Sequence, residues 1–172
     1  GNAFDFGNLQ TARRDPGSTA STTRIVYGGG DSDGSTVVNT IGYNTIATVG
    51  NASDFGNLTQ ARRVVGTGNI TRGLFFGASS SSTRALYAGG QGPSLTNVID
   101  YVTIASTSNA TDFGDLTVAR AGNPSTSNST RAIWMGGYEP GYNGTIDYVT
   151  IASTGNAIDF GDLFDKKGQG GA

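Results

Sequence analysis

The chain has 172 residues, a net charge of −2 and a pI near 4.8, and it contains neither histidine nor cysteine. This composition excludes a basic nucleic-acid-binding surface, a disulfide framework and the usual zinc sites. Apolar residues occur as short runs of Val, Ile, Tyr and Phe between clusters of Gly, Ser and Asn, and none of these runs is long enough to span a bilayer. The pattern predicts an all-β protein.

The first predicted element, residues 1–13, is the end of a repeat unit and contains DFGNL at residues 5–9. The motif returns as DFGNL at 54–58 and as DFGDL at 112–116 and 159–163. In protein kinases Asp-Phe-Gly holds Mg²⁺, but a kinase also needs a strand lysine and an HRD sequence, which this chain lacks. A catalytic metal site is built once per domain, so a motif that occurs four times marks a repeat.

Three units follow at residues 24–62, 84–120 and 131–163, with a period of about 47 to 49 residues when the extra residues 72–83 are left out, so that residues 1–163 form one repeat array. Each unit runs from an arginine through a pair of glycines to a tyrosine, and the Phe of DFG comes twelve residues after that tyrosine. These structural anchors are Gly29, Gly30, Gly89, Gly90, Gly136, Gly137, Tyr43, Tyr101, Tyr148, Phe55, Phe113 and Phe160.

Each unit is predicted to form three or four short strands. In the third unit RAIWMGG is a strand that ends at two glycines, YEPGYNG is a turn, and TIDYVTIAS is a second strand. Both faces of TIDYVTIAS are largely apolar, which is expected of a sheet packed between neighbouring sheets. The DFG segment supplies a third strand, and the Ser/Thr/Asn-rich segment before the next arginine is a candidate for the fourth.

Two segments depart from the repeat. Residues 72–83, TRGLFFGASSSS, resemble the strand TRALYAGG that follows them. We therefore interpret them as an inserted duplication of one strand, which forms either an extra edge strand or a protruding hairpin. Residues 164–172 form a Gly-rich C-terminal tail.

This order of residues resembles the kelch repeat, in which a di-glycine, a tyrosine, a tryptophan, a leucine and an arginine follow one another. Gly136, Gly137, Tyr148 and Leu163 match, and Phe160 stands where the kelch repeat has tryptophan. The resemblance implies a propeller-like array of four-stranded blades. The segments TIDYVTIASTGNA and DFGDL are also similar to repeats of phage-encoded and environmental proteins, which implies a virion, tail-fibre or other extracellular location.

About three units are fewer than the roughly four to eight blades that close a propeller. We therefore expect neighbouring chains to complete the array as a homo-oligomer or a filament. The predicted function is that of a non-enzymatic structural protein, without a cofactor, that self-assembles through strand edges and blade faces. The alternative is a lectin-like adhesin that binds cell-surface glycans or a receptor.

Several side chains are candidates for ligand binding. Asp31 and Asp33 in DSDGS match the opening of a calcium loop, but the remaining ligands are missing and a solvated turn is favoured. The DFG aspartates are interpreted as turn caps. The repeated arginines are expected to bond from blade to blade, with recognition of anionic sugars as the alternative. Trp134 and Tyr138 are candidates for stacking on sugar rings, although a single tryptophan in an apolar strand is typical of a core.

The chain also contains six N-x-S/T motifs. In a secreted eukaryotic protein these would be glycan sites, whereas in a chain rich in Asn, Ser and Thr several arise by chance. Asn51 and Asn109 occupy the same position of the repeat. The candidate N-glycosylation sites are Asn51, Asn57, Asn69, Asn109, Asn128 and Asn143.

Overall fold

The computed structural model describes residues 2–64, 75–76, 78–80 and 83–166. Within these residues the chain forms strands and no helix, so the all-β prediction is confirmed. Three of the sequence predictions lie wholly or partly outside the described residues. They are the candidate glycosylation site Asn69, residues 72–74, 77 and 81–82 of the predicted insertion, and residues 167–172 of the C-terminal tail.

Two four-stranded antiparallel sheets come first, each with its strands in chain order. The first sheet contains β1 (Gly17–Ala20), β2 (Arg24–Gly28), β3 (Thr40–Thr45) and β4 (Ser53–Asn57). Strand β5 (Phe75–Phe76) follows β4 in the chain but pairs with the third sheet. The second sheet contains β6 (Ala78–Ser80), β7 (Arg84–Ala88), β8 (Val98–Thr103) and β9 (Thr111–Asp115).

The third sheet is also antiparallel and contains β10 (Pro124–Ser127), β11 (Arg131–Met135), β14 (Thr145–Thr150) and β15 (Ile158–Asp162). Its order is β15-β14-β11-β10-β5, so β5 is an extra edge strand on β10. Between β11 and β14 a small hairpin joins β12 (Tyr138–Glu139) to β13 (Gly141–Tyr142). β6, which lies in the predicted insertion, is the first strand of the second sheet rather than an addition to it.

Each sheet begins before the arginine that starts its predicted unit. β1 and β10 have the sequences GSTA and PSTS, and they precede Arg24 and Arg131. Neither strand shows apolar alternation, because most of its side chains are small or hydroxylated. Hydrophobic periodicity therefore could not fix where each sheet begins.

The core lies between the sheets, in two clusters. One joins the first sheet to the second, and the other joins the second to the third. The second sheet is thus packed on both faces, and we call the two contacts the first and the second junction. The first cluster contains Val26, Ile41, Phe55, Leu58, Val64, Ala85, Tyr87, Val102 and Ile104. The second contains Leu86, Ala88, Ile99, Phe113, Leu116, Ala132, Trp134, Val149, Ile151 and Ala157.

Strands β2 and β7 end at the di-glycines, where another segment of backbone lies too close to leave room for a side chain. Gly29 and Gly89 have φ values of +67° and +66°, a region that residues with a Cβ rarely adopt. A Cβ on Gly29 would lie 2.5 Å from the carbonyl oxygen of Arg62, and one on Gly89 would lie 2.4 Å from that of Arg120. The returning chain therefore packs directly against the glycine backbone.

Candidate interaction surface

The three sheets carry the same stack of three side chains. In each, an arginine lies over a tyrosine ring, with the guanidinium carbon 4.6–4.8 Å from the ring centroid. The tyrosine meets a phenylalanine edge to face, with centroids 5.7–5.8 Å apart. The predicted Tyr and Phe anchors are thus in contact within each sheet. The stacks are Arg24–Tyr43–Phe55, Arg84–Tyr101–Phe113 and Arg131–Tyr148–Phe160.

In each of the three sheets, the phenylalanine of the DFG motif is the extra residue of a β-bulge. In the second sheet Ile99 pairs with Gly114 and Asp100 pairs with Asp112, which leaves Phe113 without a partner residue on β8. A bulge re-aims one side chain, and here Phe113 enters the buried cluster of the second junction. Asp112 caps the bend, because its Oδ1 accepts the N–H of Gly114 at 3.2 Å.

Equivalent caps occur elsewhere in the repeat. The Oδ1 of Asp5 accepts the N–H of Gly7 at 3.0 Å, and that of Asp159 accepts the N–H of Gly161 at 2.9 Å. This is the turn-capping role predicted for the DFG aspartates. A carboxylate oxygen engaged in this way fixes the backbone of its own motif.

A three-residue turn on the following sheet clamps the bulged strand. At the second junction Gly155 donates its N–H to the carbonyl of Phe113 and Ala157 donates to that of Asp115, both at 2.7 Å. In return the N–H of Asp115 donates to Oδ1 of Asn156 at 3.1 Å. We call residues 155–157, and the equivalent residues 50–52 and 108–110, receiving turns.

The first junction uses the same clamp. Ala110 donates to the carbonyl of Asn57 at 2.7 Å, and the N–H of Asn57 donates to Oδ1 of Asn109 at 3.0 Å. The sequence carried a signal for this clamp, because GNA, SNA and GNA recur at 50–52, 108–110 and 155–157. The shared repeat position of Asn51 and Asn109 belongs to this pattern, and the role of Asn156 had not been predicted.

A buried ion pair crosses each junction. Nη2 of Arg62, which follows the first sheet, lies 3.0 Å from Oδ2 of Asp100 in β8. Nη2 of Arg120 lies 2.9 Å from Oδ2 of Asp147 in β14, and all four side chains are almost completely buried. Sequence reasoning predicted that the arginines would bond from unit to unit. It did not single out the two aspartates.

A threonine completes the coordination of each aspartate. Oγ1 of Thr59 donates to Oδ1 of Asp100 at 2.6 Å, and its N–H donates to Oδ2 at 3.2 Å. Thr117 makes the same two bonds to Asp147, at 2.6 and 3.3 Å. Both oxygens of each carboxylate therefore accept hydrogen bonds, as a buried charge requires.

Burial changes the acid–base properties of the first junction. Desolvation lowers the pKa of Arg62, and the carboxylate of Asp100 acts in the opposite direction. Burial raises the pKa of Tyr87, and the negative charge of Asp100 raises it further. The carboxylate of Asp100 therefore favours the charged form of the buried Arg62 guanidinium.

The stacked arginines also reach the next sheet. Nη1 of Arg24 donates to the carbonyl of Ile104 at 3.0 Å, and Nη1 of Arg84 donates to that of Ile151 at 2.6 Å. The guanidinium of Arg131 belongs to the last described sheet and is exposed. Each arginine of the first two stacks thus orders its own sheet and binds the following one.

The first sheet departs from the pattern. Gly42 stands where the other sheets have Asp100 and Asp147, and the phenolic ring of Tyr27 fills the space, since a Cβ on Gly42 would lie 2.5 Å from its oxygen. Arg13, the counterpart of Arg62, has no aspartate there. It donates instead to the carbonyls of Gly29 and Thr40 at 3.1 and 3.0 Å.

On the outer face of the third sheet, Phe160 is exposed although its counterparts in the first two sheets are buried. Phe160 is 57% exposed, whereas Phe55 and Phe113 are 2% exposed. Ile158 and Phe164 beside it are 58% and 102% exposed. We call this surface, with Ile158, Phe160 and Phe164, the end face.

The surroundings of Asp31 and Asp33 do not favour the calcium alternative, which the sequence already ranked below a turn. Oδ2 of Asp31 accepts from Nη2 of Arg14 at 3.2 Å and from Nε of Arg63 at 2.9 Å, and its side chain is fully buried. Two guanidinium groups therefore already neutralise the carboxylate that a cation would need. Asp33 closes a turn, because its Oδ1 accepts the N–H groups of Ser35 and Thr36.

The pKa of Asp33 should be measurably low. Hydrogen bonds from the N–H groups of Thr36 and Ser35 and from the hydroxyl of Thr36 hold this pKa far below its ordinary value. A depressed folded pKa means that the stabilisation is present above the unfolded value of about 3.9 and is lost as the pH falls through the folded value. Carboxyl ¹³C NMR titration should find Asp33 ionised at pH 3, and Thr36→Val should raise the pKa. An ordinary pKa in the native protein would contradict the prediction.

The two candidate sugar-stacking residues differ in accessibility. Trp134 is 0% exposed and belongs to the second core cluster, so it is not a glycan contact. Tyr138 is 51% exposed on the β12–β13 hairpin, beside exposed Tyr142. An open cavity of about 440 Å³ adjoins this hairpin and is lined by Tyr142, Glu139 and Phe164 among others.

The candidate glycosylation sites differ in burial and in the hydrogen bonds that their side chains make. Asn143 is buried and its Nδ2 donates to Oε2 of Glu139 at 3.0 Å, which excludes a glycan there in the folded chain. Asn51 and Asn109 are exposed, but their Oδ1 atoms belong to receiving turns. Asn57 donates to Asn109 and is half-buried, and Oδ1 of Asn128 caps the turn before Arg131.

The described residues contain no group of three or more His, Cys, Asp or Glu side chains that could hold a metal ion. In the same part of the chain, no helix is long and apolar enough to cross a membrane. No protein-family model and no curated protein matches the sequence.

Proposed function

We propose that the chain is a non-enzymatic structural repeat protein that associates with copies of itself through its sheet faces. The supporting observation is the exposure of Phe160 on the end face, where Phe55 and Phe113 at equivalent positions are buried by the next sheet. Exposed apolar patches of this kind mark interaction surfaces. The natural occupant is another sheet of the same design, because such a sheet already covers the equivalent face twice within the chain.

The association would be head to tail, because the end face of one copy would contact a different surface, the first sheet, of the next copy. A heterologous contact of this kind produces a ring when its rotation closes and a filament when it does not. A kelch-like, propeller-like arrangement of blades completed by neighbouring chains is one such ring. With the phage-like repeat sequences, these geometries support a role in a virion appendage, a tail fibre or another extracellular filament.

Replacing Phe160 tests this proposal. Phe160→Ser should weaken self-association at least tenfold in sedimentation-velocity experiments, because a central aromatic anchor contributes about 2 kcal/mol or more to an interface. It should leave the melting temperature nearly unchanged, since the side chain is exposed in the single chain. Unaltered association would contradict the proposal.

Tyr138→Ser is the matched control, because Tyr138 is similarly exposed but lies on the hairpin. This substitution should leave association unchanged. It also tests the second candidate function, glycan binding at the cavity beside Tyr142 and Glu139, where exposed aromatic rings accompany a carboxylate. A glycan-binding protein would lose affinity on a glycan array with Tyr138→Ser and keep it with Phe160→Ser.

A further inference from the structure

The receiving turn of the first sheet already has an occupant. Gly50 donates its N–H to the carbonyl of Phe6, and Ala52 donates to that of Asn8, both at 2.9 Å. The N–H of Asn8 donates to Oδ1 of Asn51 at 3.0 Å. These are the three bonds that join β9 to the turn at 155–157. Residues 4–9 therefore dock on the first sheet as a bulged DFG strand docks at the second junction.

Two segments of the chain fit this one place. DFGNL at 5–9 and DFGDL at 159–163 differ at a single residue, and the second is free of a receiving turn within the described residues. A Cβ on Gly7 would lie 2.3 Å from the carbonyl oxygen of Gly50, whereas one on Gly161 would meet no atom of the described residues within 4 Å. The φ angles of Gly7 and Gly161, +136° and +133°, are nearly the same.

Resting on the proposed function, we propose that β15 of a second copy binds the receiving turn at 50–52 and displaces residues 4–9. An internal junction has room for one DFG segment between its two sheets. When two copies meet head to tail, residues 4–9 of one copy and β15 of the other would both lie at the junction. One of them must leave before the sheets can reach the spacing of the internal junctions.

Residues 4–9 are the segment that leaves, because less holds them. They form no strand, and Phe6 is 40% exposed although it is docked. β15 is paired with β14 from Thr145↔Asp162 to Tyr148↔Ile158, and Phe160 is already stacked on Tyr148. Exchange therefore releases an exposed segment that belongs to no strand, and it buries the side chains of the end face.

The join also avoids an unpaired buried charge. Phe164 stands at the position of Thr59 and Thr117, and Gly42 stands at that of the aspartates these threonines bind. The end face therefore lacks the threonine, and the first sheet lacks the aspartate, of the polar contact found at the internal junctions. Neither surface would leave an unpaired polar partner on the other. The ring of Phe164 would stand in place of the threonine, and the ring of Tyr27 beside Gly42 already fills the place of the aspartate.

A reversible tether tests the exchange in the full chain. Asn8→Cys with Asn51→Cys places one thiol on each of two residues that are already joined by the bond from the backbone N–H of Asn8 to Oδ1 of Asn51, and the chain has no other cysteine. Oxidation should hold residues 4–9 in place and weaken self-association at least tenfold, and reduction should restore it. Association that is the same in the oxidised and reduced states would overturn the exchange while leaving self-assembly intact.

A peptide experiment tests the site without assembly. The background is the full chain with Phe160→Ser, in which the peptide has to displace residues 4–9. A peptide of residues 157–166 should shift the amide NMR signals of Gly50 and Ala52, and the same peptide with Gly161→Ala should bind at least tenfold more weakly. No shift in a folded chain overturns the exchange. Binding without self-association of the unmodified chain supports the site and contradicts the proposed function.

Discussion

Asp100→Ala is expected to lower the free energy of unfolding by about 3–5 kcal/mol, because it leaves the guanidinium of Arg62 buried without its counter-ion. The carboxylate of Asp100 is the main group that compensates the buried positive charge of Arg62. Nε and Nη1 of Arg62 have no hydrogen-bond partner within the described residues, and Nη2 donates otherwise only to the carbonyl of Tyr87. Urea unfolding followed by tryptophan fluorescence would measure the change.

Two further variants separate charge from packing. Asp147→Ala removes the equivalent carboxylate at the second junction and should cost a similar amount. The double variant Arg62→Met with Asp100→Leu removes both charges, and it should regain most of the lost stability, since apolar groups of similar size often replace a buried ion pair without loss. A loss below about 1 kcal/mol in Asp100→Ala would contradict the assigned role.

Gly114→Ala is expected to destabilise the chain more than Gly161→Ala. Both glycines follow the Phe of DFG and have φ values of +141° and +133°, so the backbone strain is nearly equal. They differ in what surrounds them. A Cβ on Gly114 would lie 2.4 Å from the carbonyl oxygen of Gly155, whereas one on Gly161 would meet no atom within 4 Å in the part of the chain that the structure describes.

The difference between the two variants isolates the junction. Forcing an atom into a packed contact costs about 1–3 kcal/mol, so Gly114→Ala should be less stable than Gly161→Ala by that amount. Thermal unfolding of dilute single chains would measure it, and Gly56→Ala should behave as Gly114→Ala does, since its Cβ would lie 2.2 Å from the carbonyl oxygen of Ser108. Equal stabilities would mean that the sheets separate without cost.

The repeat made part of this structure predictable. Equal spacing of Tyr43, Tyr101 and Tyr148 from their phenylalanines indicated that the units share one conformation, and the structure brings each pair into edge-to-face contact. Short apolar runs between glycines indicated strands. Both inferences depend on local sequence, which is what a repeat preserves.

The ion pairs escaped prediction because the first sheet breaks the pattern. Asp100 and Asp147 lie between apolar neighbours in IDYVT, but Gly42 interrupts the series, so aspartate did not emerge as an anchor. The bulge at Phe113 escaped for another reason. Spacing along the chain gives the distance between residues but not the register of two strands, and one unpaired residue decides which way the ring points.

The edge strand β5 ties the folding of separate parts of the chain together. Arrays of repeats tend to come apart one unit at a time, because each unit touches only its neighbours in sequence. β5 comes before the whole second sheet in the chain but hydrogen-bonds to the third, with Phe76 opposite Pro124. Pulling the molecule by its two ends should therefore rupture the second and third sheets in a single event, at higher force than the first sheet.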